Sequence, residues 1–321
     1  MTPHRVDRAR RRVVGAIALA LALTTVALVR AALTHPAAEG GSSAPPGSPA
    51  LSLGRAHAAG FAPYPDASRP IFLLVLGSDA RPGEVVDRSR SDAIHVVGID
   101  FQRHRASVID IPRDSWVQIP HHGYDKINAA MPLGGIPLTI ETVEALTGIR
   151  FDYYTLTSFP GLVSMVDDIG GLRIRIPFDI HDPTDGGPPI ARGVQTLRGR
   201  EALAFARARH FVPGGDFGRT RDQGAMLIAA LQQYRAEMAT DPAAMLTWLG
   251  TFERNVQTDL SPGEVISLAY AAAQIPAVNV NNVALQGSTG YEGTQSVVYL
   301  DDHSNEVFRD IRTDGVVDGA T

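Results

Sequence analysis

Residues 71–100 read IFLLVLGSDARPGEVVDRSRSDAIHVVGID, two apolar runs joined by a charged loop. The first run, residues 71–76, is continuously apolar and ends at Gly77, a pattern typical of a buried strand. Residues 93–99 and 106–111 are further short runs of β-forming residues, and the polar residues 100–105 between them predict a turn. The region therefore predicts three strands of a buried sheet.

Strands and helices alternate along the rest of the chain. Helical spacing or helix-start signals occur at 136–147, 159–168, 198–209, 218–239, Asp241-Pro242, Ser261-Pro262-Gly263-Glu264 and 303–312. Further strands are predicted at 151–156, 172–176, 280–285 and 297–300. This alternation predicts a layered α-β-α domain with a central mixed β-sheet. Residues 71–240 form its main part, and residues 241–321 add helices and closing strands to the same domain.

The N-terminus has the pattern of a membrane anchor. Residues 1–12 are arginine-rich, and the apolar run 13–33, broken by Arg30, is near the lower limit of the ~20 residues that span a bilayer. Basic residues before the run predict a single-pass membrane protein with a cytoplasmic N-terminus and an extracytoplasmic domain. A cleaved signal peptide is the alternative, but its apolar region is normally only ~7–15 residues long. Residues 34–70, rich in Ala, Gly, Ser and Pro, predict a flexible linker.

The composition excludes several classes of site. A formal net charge of -5 gives no bulk affinity for nucleic acid, and the absence of cysteine excludes disulfides, thiolate metal sites and cysteine nucleophiles. No G-x-S-x-G motif is present, which argues against acyl-enzyme chemistry. Lys126 is the only lysine among 29 basic residues. Chance would explain it, and so would a site that needs a compact ammonium group instead of a planar guanidinium.

Charged residues concentrate at the ends of the predicted strands. Asp79 and Arg81 follow the first strand, and Arg90 and Asp92 precede the second. Two carboxylates beside several arginines suit a site that holds Mg²⁺ against phosphate oxygens. Asp and Gly are also common in ordinary turns at strand ends, so these two clusters alone leave both interpretations open.

Two further clusters lie at predicted helix ends. Lys126 begins a predicted helix, where an anion is favoured. Arg219 and Gln223 share one face of another helix, which follows a Gly-rich turn; a salt-bridged surface loop is the alternative there. The cations of all four clusters match a pyrophosphate in charge and geometry. They are Arg81, Arg90, Arg113, Lys126, Arg207, Arg209 and Arg219.

These residues lie in strings that resemble the LytR-CpsA-Psr family. In chain order the strings are GSDARPGE, RSDAI, IPRDSWVQIP, KINAAMPLGG, DYYTLTSFPGLVSMVDDIGG, LRGREALAFARARH and GGDFGRTRDQ. The resemblance covers roughly residues 70–235. Residues 131–133 depart from the family pattern and residues 240–321 match none of it, which leaves the acceptor side and the shape of the lipid pocket open.

The resemblance implies an enzyme that transfers a glycopolymer from a polyprenyl-pyrophosphate carrier to peptidoglycan and forms a phosphodiester bond. It also implies a hydrophobic pocket for the polyprenyl chain, and Mg²⁺, or Mn²⁺ in its place, beside Asp79 and Asp92. The implied catalytic residues are Asp79, Asp92, Arg113 and Arg219. The implied pyrophosphate-binding residues are Arg81, Arg90, Arg113, Lys126, Arg207, Arg209, Asp216, Arg219 and Gln223. A pyrophosphatase acting on the same lipid and a non-catalytic module that binds lipid-linked polymer are the alternatives.

Overall fold

The two apolar runs of residues 71–100 form neighbouring strands at the centre of a sheet. β1 (Ile71–Ser78) pairs antiparallel with β2 (Ser91–Asp100), with Leu74 opposite Val96. The register shifts at the end of β1, directly before Asp79. The computed structural model describes residues 69–181, 187–208 and 213–318.

Six strands form the central sheet, in the order β10-β3-β2-β1-β6-β9. The strands after β2 are β3 (Arg105–Asp110), β4 (Trp116–Ile119), β5 (Gly123–Lys126), β6 (Tyr153–Ser158), β7 (Leu172–Ile176), β8 (Gly193–Leu197), β9 (Gln257–Thr258), β10 (Val280–Ala284), β11 (Gly287–Glu292) and β12 (Gln295–Leu300). The β1–β6 and β3–β10 pairs are parallel, and the other pairs in the sheet are antiparallel. The predicted mixed sheet is therefore confirmed. Three two-stranded ribbons, β4–β5, β7–β8 and β11–β12, lie outside it in the described part of the chain.

Helices cover both faces of this sheet. They are α1 (Ala130–Thr147), α2 (Phe159–Asp168), α3 (Gly199–Arg207), α4 (Gly215–Thr240), α5 (Ala244–Asn255), α6 (Pro262–Ala272) and α7 (Asp302–Asp314). Leu74 of β1 belongs to the main core, together with Val143 of α1 and Phe308 of α7. Its neighbour Leu73 points to the opposite face and packs near Leu268 of α6. Alternation along a strand explains how one sequence run serves both faces.

A smaller core lies beside the sheet. The β7–β8 ribbon packs with α2, α3 and α4 through residues that include Ile174, Phe205 and Met226. This arrangement places the N-terminal half of α4 and the C-terminal end of α3 close to the end of β1.

An ion pair fixes the residues that precede β1. Arg69 donates from Nη1 to Asp152 Oδ2 at 3.1 Å and from Nη2 to Asp152 Oδ1 at 2.5 Å. Asp152 also accepts the Phe72 N–H at 2.9 Å, directly before β6 begins. The start of β1 is therefore held to the strand on its parallel side.

Several element boundaries differ from the sequence prediction. Lys126 ends β5 and precedes a short 3-10 helix, Ile127–Ala129, instead of beginning an α-helix. α1 has a break at Gly135, where φ is +69°, so its regular part begins where the apolar spacing predicted it. The strand predicted at 151–156 begins at Tyr153, and the helix predicted at Asp241-Pro242 begins at Ala244. The Ser261 cap is confirmed: its hydroxyl accepts the Glu264 N–H.

The predicted anchor and nearly all of the predicted linker lie outside the described residues. Among the helices that the structure describes, none combines the length and the apolar character needed to cross a bilayer.

Candidate functional site

The loop between β1 and β2 fixes Asp79 at one edge of the sheet. Its N–H donates to the Arg90 carbonyl at 3.0 Å, and its Oδ1 accepts the Arg90 N–H at 2.9 Å. The Asp79 carboxylate therefore faces the start of β2, where Asp92 lies. Burial and the charge of Asp92 raise the pKa of Asp79 above its ordinary value. Two carboxylates thus share a partly desolvated site.

Arg113 connects this pair to the segment that follows β3. Its Nη1 lies 2.5 Å from Asp92 Oδ2, and its Nε lies 3.9 Å from Asp114 Oδ2. Lys126, at the end of β5, places its Nζ 3.1 Å from Asp114 Oδ1. Burial lowers the pKa of Arg113, but Asp92 and Asp114 raise it by more, so the net pKa lies above its ordinary value. These contacts form a chain of ion pairs in which cations and carboxylates alternate, from Lys126 through Asp114 and Arg113 to Asp92.

The first turn of α4 adds a buried cation. Gly214, with φ +88°, reverses the chain before the helix, and Asp216 and Arg219 follow one turn apart. Arg219 Nη2 lies 2.6 Å from Asp216 Oδ1, and only 4% of the Arg219 side chain is exposed. Burial lowers the pKa of Arg219; Asp216 raises it and the charge of Arg113 lowers it further. Two guanidinium groups in mutual repulsion, with three nearby carboxylates, mark a site built for charged ligands.

The acidic part of the site suits a hard divalent cation. Asp92 Oδ1 is buried, and no donor in the described part of the chain reaches it. Its charge also repels Asp79, which a bound cation would relieve. No set of three Asp, Glu, Cys or His residues within the described ranges has metal-binding geometry. Two carboxylates with further oxygens from substrate and water are, however, the usual protein contribution to a Mg²⁺ site.

A cavity of about 870 Å³ opens beside these charges. One part is apolar, with residues from β1, α2, α3 and α4, and these are Val75, Leu162, Val163, Leu203, Met226 and Leu227. Val75 lies four residues before Asp79 on β1, and Met226 lies seven residues after Arg219 on α4. At about 3.3 Å per strand residue and about 1.5 Å per helix residue, the cavity extends about 13 Å from the charges along the strand and about 10 Å along the helix. The cavity therefore has a charged end, here named the charged mouth, and an apolar part away from it.

The structure brings most of the predicted site residues together. The cavity wall includes Asp79, Arg81, Asp92, Arg113, Arg207, Arg219 and Gln223. Lys126 and Asp216 join the cluster through their ion pairs. Arg90 contributes its main chain to Asp79 and is itself exposed, and Arg209 lies outside the described residues.

Sequence reasoning missed three residues of this region. Asp114 is the partner of both Lys126 and Arg113, and its position directly after Arg113 was the available signal. Arg200 lines the cavity from α3, and the Phe159 ring lies under the Arg207 guanidinium, with 5.2 Å from Cζ to the ring centroid. Those two sit in ordinary helical patterns, which give no sign of the cavity.

A family model described as the LytR_cpsA_psr family matches residues 53–313 of the 321 residues. This chain belongs to the LytR-CpsA-Psr family. The resemblance carried by the sequence strings is thereby confirmed, and it extends through α5 to α7, which those strings left unmatched.

Two relatives from Bacillus subtilis (strain 168) are named as polyisoprenyl-teichoic acid–peptidoglycan teichoic acid transferases. TagT is 32% identical over 234 residues, which are 71% of this chain and 70% of TagT. TagV is 29% identical over 242 residues, 73% of this chain and 61% of TagV.

Solved structures have the same fold as this LytR-CpsA-Psr protein. The crystal structure of B. subtilis TagV matches with a TM-score of 0.66 at 29% identity, over 76% of this chain and 96% of that chain. A structure described as TagT bound to LI-WTA matches with a TM-score of 0.65 at 27% identity, over 80% and 94%.

Proposed function

We propose that this LytR-CpsA-Psr protein transfers a glycopolymer from a polyprenyl-pyrophosphate carrier to peptidoglycan, forming a phosphodiester bond. One observation carries the proposal: buried cations and carboxylates stand at the mouth of an apolar cavity. A pyrophosphate fits the mouth, and a polyprenyl chain fits the interior. The names of TagT and TagV support the same reaction class.

The chemistry asked of the site is phosphoryl transfer. A hydroxyl of the peptidoglycan acceptor attacks the sugar-linked phosphorus, and the bond from that phosphorus to the bridging oxygen breaks, releasing the carrier-lipid phosphate. Such reactions depend on positioning and charge neutralisation. Arg113, which follows β3, and Arg219, on α4, interact with the same acidic cluster, so they can bind non-bridging oxygens of both phosphates. Their burial strengthens this electrostatic stabilisation, because little water competes.

Divalent metal completes the proposal. Asp79 and Asp92 would hold Mg²⁺, or Mn²⁺, which supplies Lewis-acid stabilisation of charge on the phosphate oxygens. Both carboxylates are already oriented by neighbouring groups: Arg113 orients Asp92, and the Arg90 N–H orients Asp79.

The proposed location follows from the sequence. Residues 13–33 anchor the chain in the cell membrane with residues 1–12 in the cytoplasm, so that the site meets lipid-linked substrate outside the cell. Protease treatment of intact spheroplasts should remove the domain and leave an N-terminal tag protected. Protection of the domain itself would refute this topology.

A reconstituted transfer assay tests the function. The purified full-length chain receives a polyprenyl-pyrophosphate-linked glycopolymer and isolated peptidoglycan, and labelled polymer bound to peptidoglycan is counted. Arg113→Ala and Arg219→Ala should each reduce transfer about 100-fold or more, the magnitude typical for loss of one transition-state charge contact.

The matched control is Arg254→Ala, which removes an exposed arginine paired with Asp168 on the surface. It should leave transfer unchanged. Full activity in both site variants would overturn the assignment. Phosphate release without acceptor that exceeds transfer would instead identify a pyrophosphatase.

A further inference from the structure

The β4–β5 ribbon carries a distinct outward face next to the charged mouth. Val117 and Ile119 of β4 are buried in the main core, so the alternate residues of the ribbon point away from it. Trp116 lies opposite Lys126, and Gln118 lies opposite Tyr124. Opposite residues of an antiparallel pair share a face. Trp116, Gln118, Tyr124 and Lys126 therefore form one surface, here named the ribbon face.

The composition of the ribbon face suits neutral sugar rings. Tyr124 is 63% exposed, Gln118 is exposed and Trp116 is partly exposed. Aromatic side chains offer flat apolar area together with a polar tip, and a glutamine amide both donates and accepts hydrogen bonds. A pyranose presents apolar C–H faces and hydroxyl or acetamido edges, which match this combination.

The ribbon face is continuous with the phosphate site. Lys126 belongs to both, because its Nζ is 3.1 Å from Asp114, the neighbour of Arg113. Tyr124 lies two residues before Lys126 on the same strand, which is about 7 Å away. A sugar placed over Tyr124 thus lies one step along the ribbon from the charged mouth.

The charge of the ribbon face favours the acceptor over the donor polymer. Of its four side chains only Lys126 is charged, and that charge is paired with Asp114. A donor polymer that carries negative charge would gain little from such a surface. The N-acetylglucosamine rings of a glycan strand are uncharged and therefore need no ionic partner on this surface.

We propose that the ribbon face is an acceptor subsite, which holds the sugar rings of a peptidoglycan glycan strand that neighbour the attacking hydroxyl. The inference rests on the proposed function and names the place of its second substrate. Trp116 and Tyr124 stack on ring faces, and Gln118 binds ring substituents. Lys126 marks the boundary between this subsite and the phosphate site.

The test uses the full-length chain and a peptide-free peptidoglycan tetrasaccharide. Its binding is followed by tryptophan fluorescence in the wild type, Tyr124→Ala and Gln118→Ala, and Trp116→Phe assigns the signal. The matched control is Tyr291→Ala, which removes a 75% exposed tyrosine from the separate β11–β12 ribbon. In the transfer assay the KM for acceptor and the KM for donor are measured for the same variants.

We expect Tyr124→Ala to weaken tetrasaccharide binding and raise the acceptor KM about tenfold, the effect of losing one stacking contact. The donor KM and the Tyr291→Ala variant should remain at wild-type values. Unchanged binding and acceptor KM in Tyr124→Ala and Gln118→Ala would overturn the inference.

Failure of the proposed function is distinguishable from failure of the inference. A wild type that binds the tetrasaccharide through Tyr124 but transfers no polymer would refute the function and keep the subsite. A wild type that transfers polymer with Tyr124-independent acceptor kinetics would keep the function and refute the subsite.

Discussion

Asp110 has a buried carboxylate next to α4, and we expect its replacement by asparagine to stabilise the protein. Asp110 of β3 is fully buried, and its Oδ1 lies 2.7 Å from His95 Nδ1 of β2. Its Oδ2 has no partner among the described residues, and neither has the buried Oδ1 of Asn282. A Cβ on Gly224 of α4 would collide with both side chains, so the two orphan oxygens lie close together.

Burial of Asp110 determines how large the effect on stability is. It raises the pKa of Asp110 from 3.8 to about 6, against the lowering effect of His95, while Asp222 of α4 raises it further and Arg221 lowers it. Because the folded-state pKa is the higher one, the stabilising contribution is complete below the unfolded pKa and is lost as pH rises through 6. At 1.36 kcal/mol per pKa unit, ionisation of Asp110 costs the folded state about 3 kcal/mol at pH 8.

Asp110→Asn should remove this cost. The amide oxygen can still accept from His95, and the new NH₂, which replaces the unpartnered Oδ2, can donate to Asn282 Oδ1. The free energy of unfolding of the variant, minus that of the wild type, should therefore rise by about 2.5 kcal/mol between pH 4 and pH 8, because the unfolded carboxyl is already partly ionised at pH 4. Any constant packing difference cancels in this comparison.

Urea unfolding of the full chain, followed by the fluorescence of its two tryptophans, measures the effect at several pH values. Asp168→Asn is the control, because hydrogen bonds from Arg254 and Thr251 lower the pKa of that surface carboxylate. The free energy of unfolding of Asp168→Asn, minus that of the wild type, should fall as pH rises. A pH-independent difference for Asp110→Asn, with an unchanged m-value, would refute the reasoning.

Three further predictions concern other parts of the molecule. Gly224→Ala should lower the free energy of unfolding by about 1–3 kcal/mol in urea titration, because its Cβ meets the Asp110 carboxylate, whereas Gly263→Ala, which meets nothing within 4 Å, should not. Ser261→Ala should cost about 1 kcal/mol in the same titration, since it removes the cap of α6; an unchanged midpoint would contradict that role. Removal of divalent metal by EDTA should abolish transfer, and Asp79→Asn should raise the Mg²⁺ concentration for half-maximal activity about tenfold or more; metal-independent transfer would refute the proposed metal site.

The sequence predicted the sheet well where apolar runs are continuous. Residues 71–76 and 93–99 are short runs rich in β-forming residues and flanked by glycine or charged residues, which favours buried strands over helix segments. The same local signals failed for β4 and β5, whose four residues each are too short to show a period. Only the register reveals that Trp116 and Tyr124 share a face.

The candidate site was predictable as a set of charges and not as an arrangement. Arg113 stood out because it leaves a strand at a proline, and Arg219 because it follows a Gly-rich turn; together such cations need a counter-charge. Their pairing with Asp92 and Asp216 follows from strand order and helix phase, which the sequence does not display. The His95–Asp110 contact is a clearer case, because the two residues are opposite one another only through the β2–β3 register.

The Arg69–Asp152 pair has a mechanical consequence. Tension that reaches the domain from the residues before Arg69 arrives at the start of β1, which is hydrogen-bonded along both edges to β2 and β6. A pull along that strand must shear both ladders at once, whereas the same pull along an edge strand would shear only one. The far end of the same strand leads into Asp79, so the ladders that resist the force also hold the carboxylate proposed to bind metal in its place at the edge of the sheet.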